Sequence, residues 1–346
     1  MSRPLRSPPA DRYRAAGVDL DAAERAKARI AEAVASTRTE LARGVLGAFG
    51  GMVRVPPEVK DPTLVMSTDG VGTKVLVAVR AKRYDTVGED LVNHCVDDIL
   101  VHGAQPIAFL DYIACAEMRQ EVVVGLVEGV ARGCRMHAMT LAGGETAQMP
   151  DVYGPGHFDL AGTIVGVVSE GQALHGDRVR PGDLLIGLGS SGLHTNGYTL
   201  ARHIVFDTLG LDIDSEMPGV GATVGSVLLA VHLSYWSALS PVLGRVHALA
   251  HITGGGLPGN LGRSLPPGLA GSVEKGSWSL PAVFRTLQDA GKVSDDEMYR
   301  VFNMGIGMVA IAAPTDEVAV RGAAQRAGIA TWVIGEVVRG EGVRLR

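Results

Sequence analysis

Ser67-Thr68-Asp69-Gly70-Val71-Gly72-Thr73-Lys74 sets an acid, two glycines and a lysine directly behind the apolar triplet Leu64-Val65-Met66. The triplet reads as the end of a buried strand and Val75-Leu76-Val77-Ala78-Val79 as the next apolar run, so the polar residues fall on a turn between them. Gly70 and Gly72 permit positive φ and close backbone approach, and their N–H groups can face anionic oxygens. Lys74 brings a point charge suited to a phosphate, and Asp69 the hard oxygen that Mg²⁺ favours. The same eight residues also fit an ordinary hairpin turn built on an Asp-Gly pair, and the stretch alone does not separate the two. A P-loop is excluded, because the one Gly-Lys pair, Gly291-Lys292, is followed by Val293.

Outward from this stretch, composition sets the bounds. A chain of 346 residues exceeds one typical core and predicts two domains of roughly 150 to 200 residues. The formal charge of −5 and pI near 6.1 leave no electrostatic footprint for nucleic acid or an anionic membrane, but small charged metabolites fit. Cys95, Cys115 and Cys134 form no CxxC pair, which fits a reducing compartment. Without an apolar leader at Met1 to Asp11 or any 18-residue apolar run, a soluble cytoplasmic protein is expected.

A capping box of the Asp21-Ala22-Ala23-Glu24 type predicts a helix over 21–37, and Gly44 to Gly51, with four glycines in eight residues, is either a linker or a flap that closes over phosphates. Thr86-Val87-Gly88-Glu89 predicts a second capped helix to about His102. On it Asp98 shares the apolar stripe of Leu91 and Cys95 and calls for a compensating cation, while Asp97 is turned by about 100° and reads as solvated. Strands over 106–114 and 160–168, a helix over 117–137, and a short strand at Thr140-Leu141-Ala142 running into Gly143-Gly144-Glu145-Thr146 gather acids at strand ends, where layered α/β folds bind ligands.

The chain turns polar near 170–180, and Pro181-Gly182-Asp183 opens a new unit. The expected partition is 1–56 for the first helix and glycine-rich flap, 57–170 for an α/β unit binding ATP and Mg²⁺, and 171–346 for a second α/β unit. Gly187, Gly189 and Gly192 spell the G-x-G-x-x-G of dinucleotide sites, but the helix begins after Asn196-Gly197, and Asp207 falls inside helical periodicity. What survives is a glycine-rich anion site with donors from Ser190, Ser191, His194 and Asn196. A helix over 222–243, a glycine turn at Thr253 to Gly256, helices over 280–290, 295–301 (capped by Ser294) and 316–327, and strands over 308–312 and 331–338 complete the reading. The histidines and cysteines show no zinc spacing, Cys134-x-x-His137 being a lone pair.

Eight segments in register, Gly17-Val18-Asp19, Asp69 to Lys74, Asp97-Asp98, Phe109 to Tyr112, Gly143 to Pro150, Ser190 to Tyr198, Thr253 to Gly256 and Phe302 to Met308, resemble the phosphoribosylformylglycinamidine cyclo-ligase family, the aminoimidazole ribonucleotide synthetases of purine biosynthesis. The resemblance runs from about Tyr13 to Gly335. It implies a two-domain α/β (α+β) fold whose N-terminal sheets pair across a homodimer. It also implies ATP and Mg²⁺ as cofactors and a ribonucleotide as substrate, with no nucleic acid or membrane partner. In the reaction the resemblance implies, ATP phosphorylates the formyl amide oxygen of formylglycinamidine ribonucleotide, an amidine nitrogen closes the imidazole ring, and phosphate departs.

Carried onto this chain, the resemblance makes Asp69, Lys74 and His194 catalytic candidates and Asp69, Asp98 and Glu145 metal ligands, with Asp19, Asp97 and Asp111 in reserve. Gly47, Gly50, Gly70, Gly72, Thr73, Lys74, Gly143 and Gly144 are expected on ATP. Ser190, Ser191, His194, Asn196, Thr253, Gly254 and Gly255 are expected on substrate. Such a site suits phosphoryl transfer, which asks mainly for positioning and charge neutralisation.

Three departures stand out. Asp97 replaces the usual Asn, Ala48 replaces a flap glycine, and the family's Pro-Thr-Arg-x-Tyr-x-Lys appears as Val231 to Ser237 with only Tyr235 kept. Leu233 and Ser237 thereby remove two cations that would hold an anion. A superfamily paralogue is the competing reading, for instance a small-molecule kinase such as thiamine-monophosphate kinase, or a chain that binds ATP without turnover. Selenophosphate synthetase is disfavoured because no cysteine lies near the flap.

Overall fold

A computed structural model describes residues 20–44 and 49–346, with side chains from Ala28 onward. Asp19, Gly47 and the Asp21 capping box lie outside what it describes. The first unit comprises α1 (Leu20–Ala35), the short pair β1 (Ala42–Arg43) and β2 (Met52–Val53), β3 (Pro62–Gly70), α2 (Lys74–Ala81), α3 (Asp85–Leu100), β4 (Gln105–Cys115), α4 (Gln120–Met136), β5 (Thr140–Gln148) and β6 (Phe158–Ser169). Its sheet has the order β3-β6-β4-β5. The parallel pair β4 and β5 is joined through α4, as a parallel pair requires a crossover. The apolar run after Lys74 is therefore the helix α2 rather than a strand. Its Lys74, Val77 and Ala78 are buried at the i, i+3, i+4 spacing of one helical face, with Val75 beside Ala78.

The second unit contains β7 (Leu184–Gly189), α5 (Tyr198–Arg202), α6 (Val224–Leu228), α7 (Trp236–Leu239), β8 (Ala248–His251), α8 (Gly256–Arg263), β9 (Leu269–Val273), α9 (Ala282–Gly291), α10 (Asp295–Val301), β10 (Ile306–Ala312), α11 (Glu317–Arg326), β11 (Thr331–Arg339) and β12 (Gly342–Leu345). Its sheet order is β12-β9-β11-β7-β10-β8, with β12 and β9 parallel and the other neighbours antiparallel. Ser294 caps α10 by accepting from the Glu297 N–H, as the sequence predicts. The Thr86 box does not form: α3 starts at Asp85, and Thr86 is buried inside it.

Register fixes which residues share a face of the first sheet. Leu64 and Met66 pair with Val167 and Val165, and Leu110 and Tyr112 pair with Thr163 and Ala161 of the same strand. Directly opposed residues share a face and the side-chain period is two, so Leu64, Met66, Leu110 and Tyr112 lie together, and all four are exposed. Glu145, opposite Tyr112, joins this open face. Asp69, opposite Gly162, which is opposite Asp111, belongs to the face covered by α3.

Helix α3 is buried nearly all round because it lies between the two units. Leu91, Cys95 and Ile99 pack into the first unit. Asp90, Asn93 and Asp97, spaced three and four residues apart on one face, meet the Ala230–Tyr235 segment of the second. Asp90 accepts from His232 N–H at 2.7 Å, Asn93 Nδ2 donates to His232 O at 2.8 Å, and Asp97 accepts from Tyr235 N–H at 2.8 Å. These bonds explain why the helix expected over 222–243 is broken into α6, an irregular stretch and α7. Main-chain groups that would continue the helix are spent on α3.

Candidate active site

Asp69 ends β3 and Asp98 lies in the last turn of α3, and the two converge on His94 of the same helix. Asp69 Oδ2 lies 2.7 Å and Asp98 Oδ2 3.8 Å from His94 Nε2. Asp98 is held further by His251 Nδ1 at 2.9 Å and by the Ser67 hydroxyl at 2.9 Å. Burial by itself would raise both carboxyls. Burial is the largest single influence, but at Asp69 the hydrogen bond and charge of His94 with the Gly70 N–H, and at Asp98 the contacts of His251, His94 and Ser67, together outweigh it, so both pKa values are lowered. Both acids line a cavity of roughly 530 Å³ at the seam, with Thr253, His102, His175 and Arg263 on other walls. Two ionised carboxylates on one cavity fit a hard divalent cation such as Mg²⁺. Arg263, absent from the sequence-based set, places a guanidinium on the cavity wall. The signal available for it was a basic residue in the last turn of the helix that opens at Thr253-Gly254-Gly255-Gly256.

Other expected residues fall differently. Glu145 is on the opposite edge strand and the opposite face from Asp69, about 14 Å away by three strand spacings, so within one chain it does not join Asp69 and Asp98. Lys74 is wholly buried: its ammonium pairs with Asp90 at 2.7 Å and donates to His194 O at 3.0 Å and Ala230 O at 2.7 Å. Its three protons are thus taken by protein acceptors, a geometry that fits a clamp between units and not a phosphate contact. His194 is also buried, at φ 60°, with its Nε2 accepting from the Ser191 N–H at 3.2 Å. Burial keeps its pKa well below the ordinary value, so it is neutral.

Asp97, expected in solvent, is fully buried, and burial pushes its carboxyl well up. Asp111 sits against Gly144, where a Cβ would come within 2.0 Å of Asp111 Oδ1, and burial raises it to about 7. The Ser190 and Ser191 hydroxyls donate to Gly192 O and Val231 O. Asn196 with Gly72 and Thr73 lines a second hollow of about 630 Å³, and Gly254 lies beside the Asn196 side chain. Gly50 and Gly143 touch no part of the Asp69 cavity.

The histidines supply what spacing in sequence concealed. His94, His232 and His251 converge, each offering a ring nitrogen within 4.8 Å of the other two. His194 stacks on His232 with centroids 4.0 Å apart. Two departures from the family pattern touch here, His232 Nε2 lying 3.4 Å from Asp97 Oδ2.

Residues 50–168 match the family described as AIR synthase related protein, N-terminal domain, and residues 180–346 its C-terminal domain. The phosphoribosylformylglycinamidine cyclo-ligase of Trichlorobacter lovleyi is 45% identical over 334 residues, covering 96% of each chain. The chain belongs to the phosphoribosylformylglycinamidine cyclo-ligase family. Within that family's fold, thiamine-monophosphate kinase from Stenotrophomonas maltophilia superposes with a TM-score of 0.68 at 20% identity, covering 93% of this chain and 94% of that one. A hydrogenase maturation protein HypE solved in complex with ATP superposes with a TM-score of 0.59 at 18% identity over 88% and 84% of the two chains. These two likenesses concern the fold alone.

Proposed function

We propose that this cyclo-ligase family member closes formylglycinamidine ribonucleotide to aminoimidazole ribonucleotide with ATP, releasing ADP and phosphate, and that it does so at the Asp69–Asp98 cavity. The observation that carries the reading is the pair of ionised carboxylates facing Arg263 across one cavity, in a chain 45% identical to a named cyclo-ligase over nearly its whole length. Asp69 and Asp98 are the residues to hold Mg²⁺. When bound, the ion would neutralise phosphate charge and polarise the transferring group.

The chain's own groups supply the rest. Arg263 on the cavity wall offers a guanidinium fork to a phosphate. Thr253 lines the first hollow and Asn196 the second, and a ribonucleotide spanning the seam would meet both. His251, anchored by Asp98, forms part of the cavity wall, and neutral His194 stacks on His232 next to it.

A second copy covers the open face of the first sheet. Support comes from Leu64, Met66, Leu110 and Tyr112, which present a contiguous apolar surface on one monomer. Glu145 then faces that second copy. The three buried free cysteines suit the reducing cytoplasm.

The test is direct. Purified protein given ATP, Mg²⁺ and formylglycinamidine ribonucleotide is expected to form aminoimidazole ribonucleotide with one ADP per ring closed. ATP binding without ring closure would transfer the chain to the paralogue reading. Sedimentation of the wild type should show a dimer, and Met66→Asp together with Tyr112→Glu should give monomers.

A further inference from the structure

We infer that His94, His232 and His251 form a binding site for one divalent transition ion of the zinc class, seated between the two units behind the Asp69–Asp98 cavity. All three rings are buried, and one nitrogen of each lies within 4.8 Å of the others. His232 Nε2 and His251 Nε2 are 3.2 Å apart. Tetrahedral zinc with bonds of about 2.0–2.1 Å to nitrogen holds its ligands about 3.4 Å apart, so this edge of the site is already close to metal-ready spacing.

The opposite nitrogens are tied down. His251 Nδ1 bonds Asp98 Oδ1 at 2.9 Å, and His94 Nδ1 and His232 Nδ1 share the Thr195 hydroxyl at 2.7 and 3.3 Å. Metal-binding histidines characteristically have the far ring nitrogen anchored by a carboxylate, carbonyl or similar group, which turns the other lone pair inward.

His94 Nε2 pairs with Asp69 Oδ2 at 2.7 Å, and Asp97 Oδ2, a buried oxygen without a hydrogen bond, borders the cluster. Asp97 Oδ2, 3.4 Å from His232 Nε2, and Asp69 Oδ2, 2.7 Å from His94 Nε2, are the oxygens available to a fourth position. Imidazoles select zinc, cobalt, nickel or copper over Mg²⁺, which demands oxygen. His251 also lines the Asp69 cavity, which gives an ion its way in.

The test needs neither ATP nor ring closure, so its outcome is separable from that of the proposed reaction. Chelator-stripped full-length protein is titrated with Co²⁺ as a visible probe and with Zn²⁺ by calorimetry. One equivalent of Co²⁺ should give the intense d–d bands of a four- or five-coordinate nitrogen site, displaced by Zn²⁺ but not by excess Mg²⁺. His232→Gln and His251→Gln should each weaken binding by at least about 100-fold. Thr195→Val, which frees two rings without removing a ligand, should weaken it by about 10–100-fold. Thermal unfolding and circular dichroism establish that each variant is folded. If a variant does not fold, long-range ¹H–¹⁵N spectra of the wild type decide, since Zn²⁺ must shift the Nε2 signals of three histidines. Absence of stoichiometric binding, unchanged affinity in folded His232→Gln and His251→Gln, or undisturbed histidine signals would overturn the assignment.

Discussion

Replacing Lys74 by methionine distinguishes a clamp between units from a ligand for phosphate. The side chain is wholly buried, its ammonium 2.7 Å from Asp90 and bonded to two carbonyls of the second unit. Burial opposes both charges, lowering the pKa of Lys74 and raising that of Asp90 despite their attraction. Lys74→Met leaves Asp90 buried without its partner, a loss of about 3–5 kcal/mol. At about 2–4 °C per kcal/mol for units of this size, the melting temperature should fall by roughly 6–20 °C. The double variant Lys74→Met with Asp90→Asn removes both charges and keeps an acceptor for the His232 N–H. It should recover most of the loss, and urea unfolding of the four proteins gives the coupling energy directly. If Lys74→Met unfolded like the wild type and instead raised KM for ATP, the clamp would be refuted and the phosphate role restored.

Asp69→Asn should abolish Mg²⁺-dependent turnover while leaving thermal unfolding near wild type; wild-type turnover in that variant would remove Asp69 from the metal site. Gly307→Ala puts a methyl 2.1 Å from the buried Tyr235 hydroxyl and 2.5 Å from His194 Cε1. Tyr235 is pinned by its bond to Gly189 O, so a loss of about 1–3 kcal/mol is expected in urea denaturation. Asp111 binds its proton more tightly folded, with a pKa of about 7 against an ordinary 3.8. Its contribution is therefore complete below about pH 4 and is lost as pH rises through 7, by up to about 4 kcal/mol. Asp111→Asn should flatten the stability profile across that window, and an unchanged slope would show that Asp111 titrates normally.

Local pattern carried the reading a long way. The strands bearing Asp69 and Asp111, the Ser294 cap and the turn before Tyr198 were all legible, because each depends on residues within a few positions. Asp98 along an apolar stripe called for a compensating metal ion or cation, and the structure sets His94 and His251, one from each unit, against its carboxylate. What escaped depends on the third dimension. Glu145 looks like a strand-end acid only if β5 stops at Ala142. The strand in fact runs to Gln148, and its register turns Glu145 to the open face. Lys74 resembles a phosphate lysine until Asp90, sixteen residues on, folds against it. The order of solvation at Asp97 and Asp98 was reversed for one reason: a second unit covers the helix face that would otherwise be wet. His94, His232 and His251 belong to three distant segments, so no linear spacing could announce them.

The way α3 grips the Ala230–Tyr235 segment explains how this chain tolerates so altered a sequence there. The helix recognises amides and a carbonyl, which every residue but proline provides alike, and so a lineage can rewrite the protruding groups without shifting the path of the chain. A proline at 232 or 235 would be the exception, withdrawing an N–H that a buried acid needs. Inheritance of position without inheritance of side chains lets new chemistry be tried at an old address.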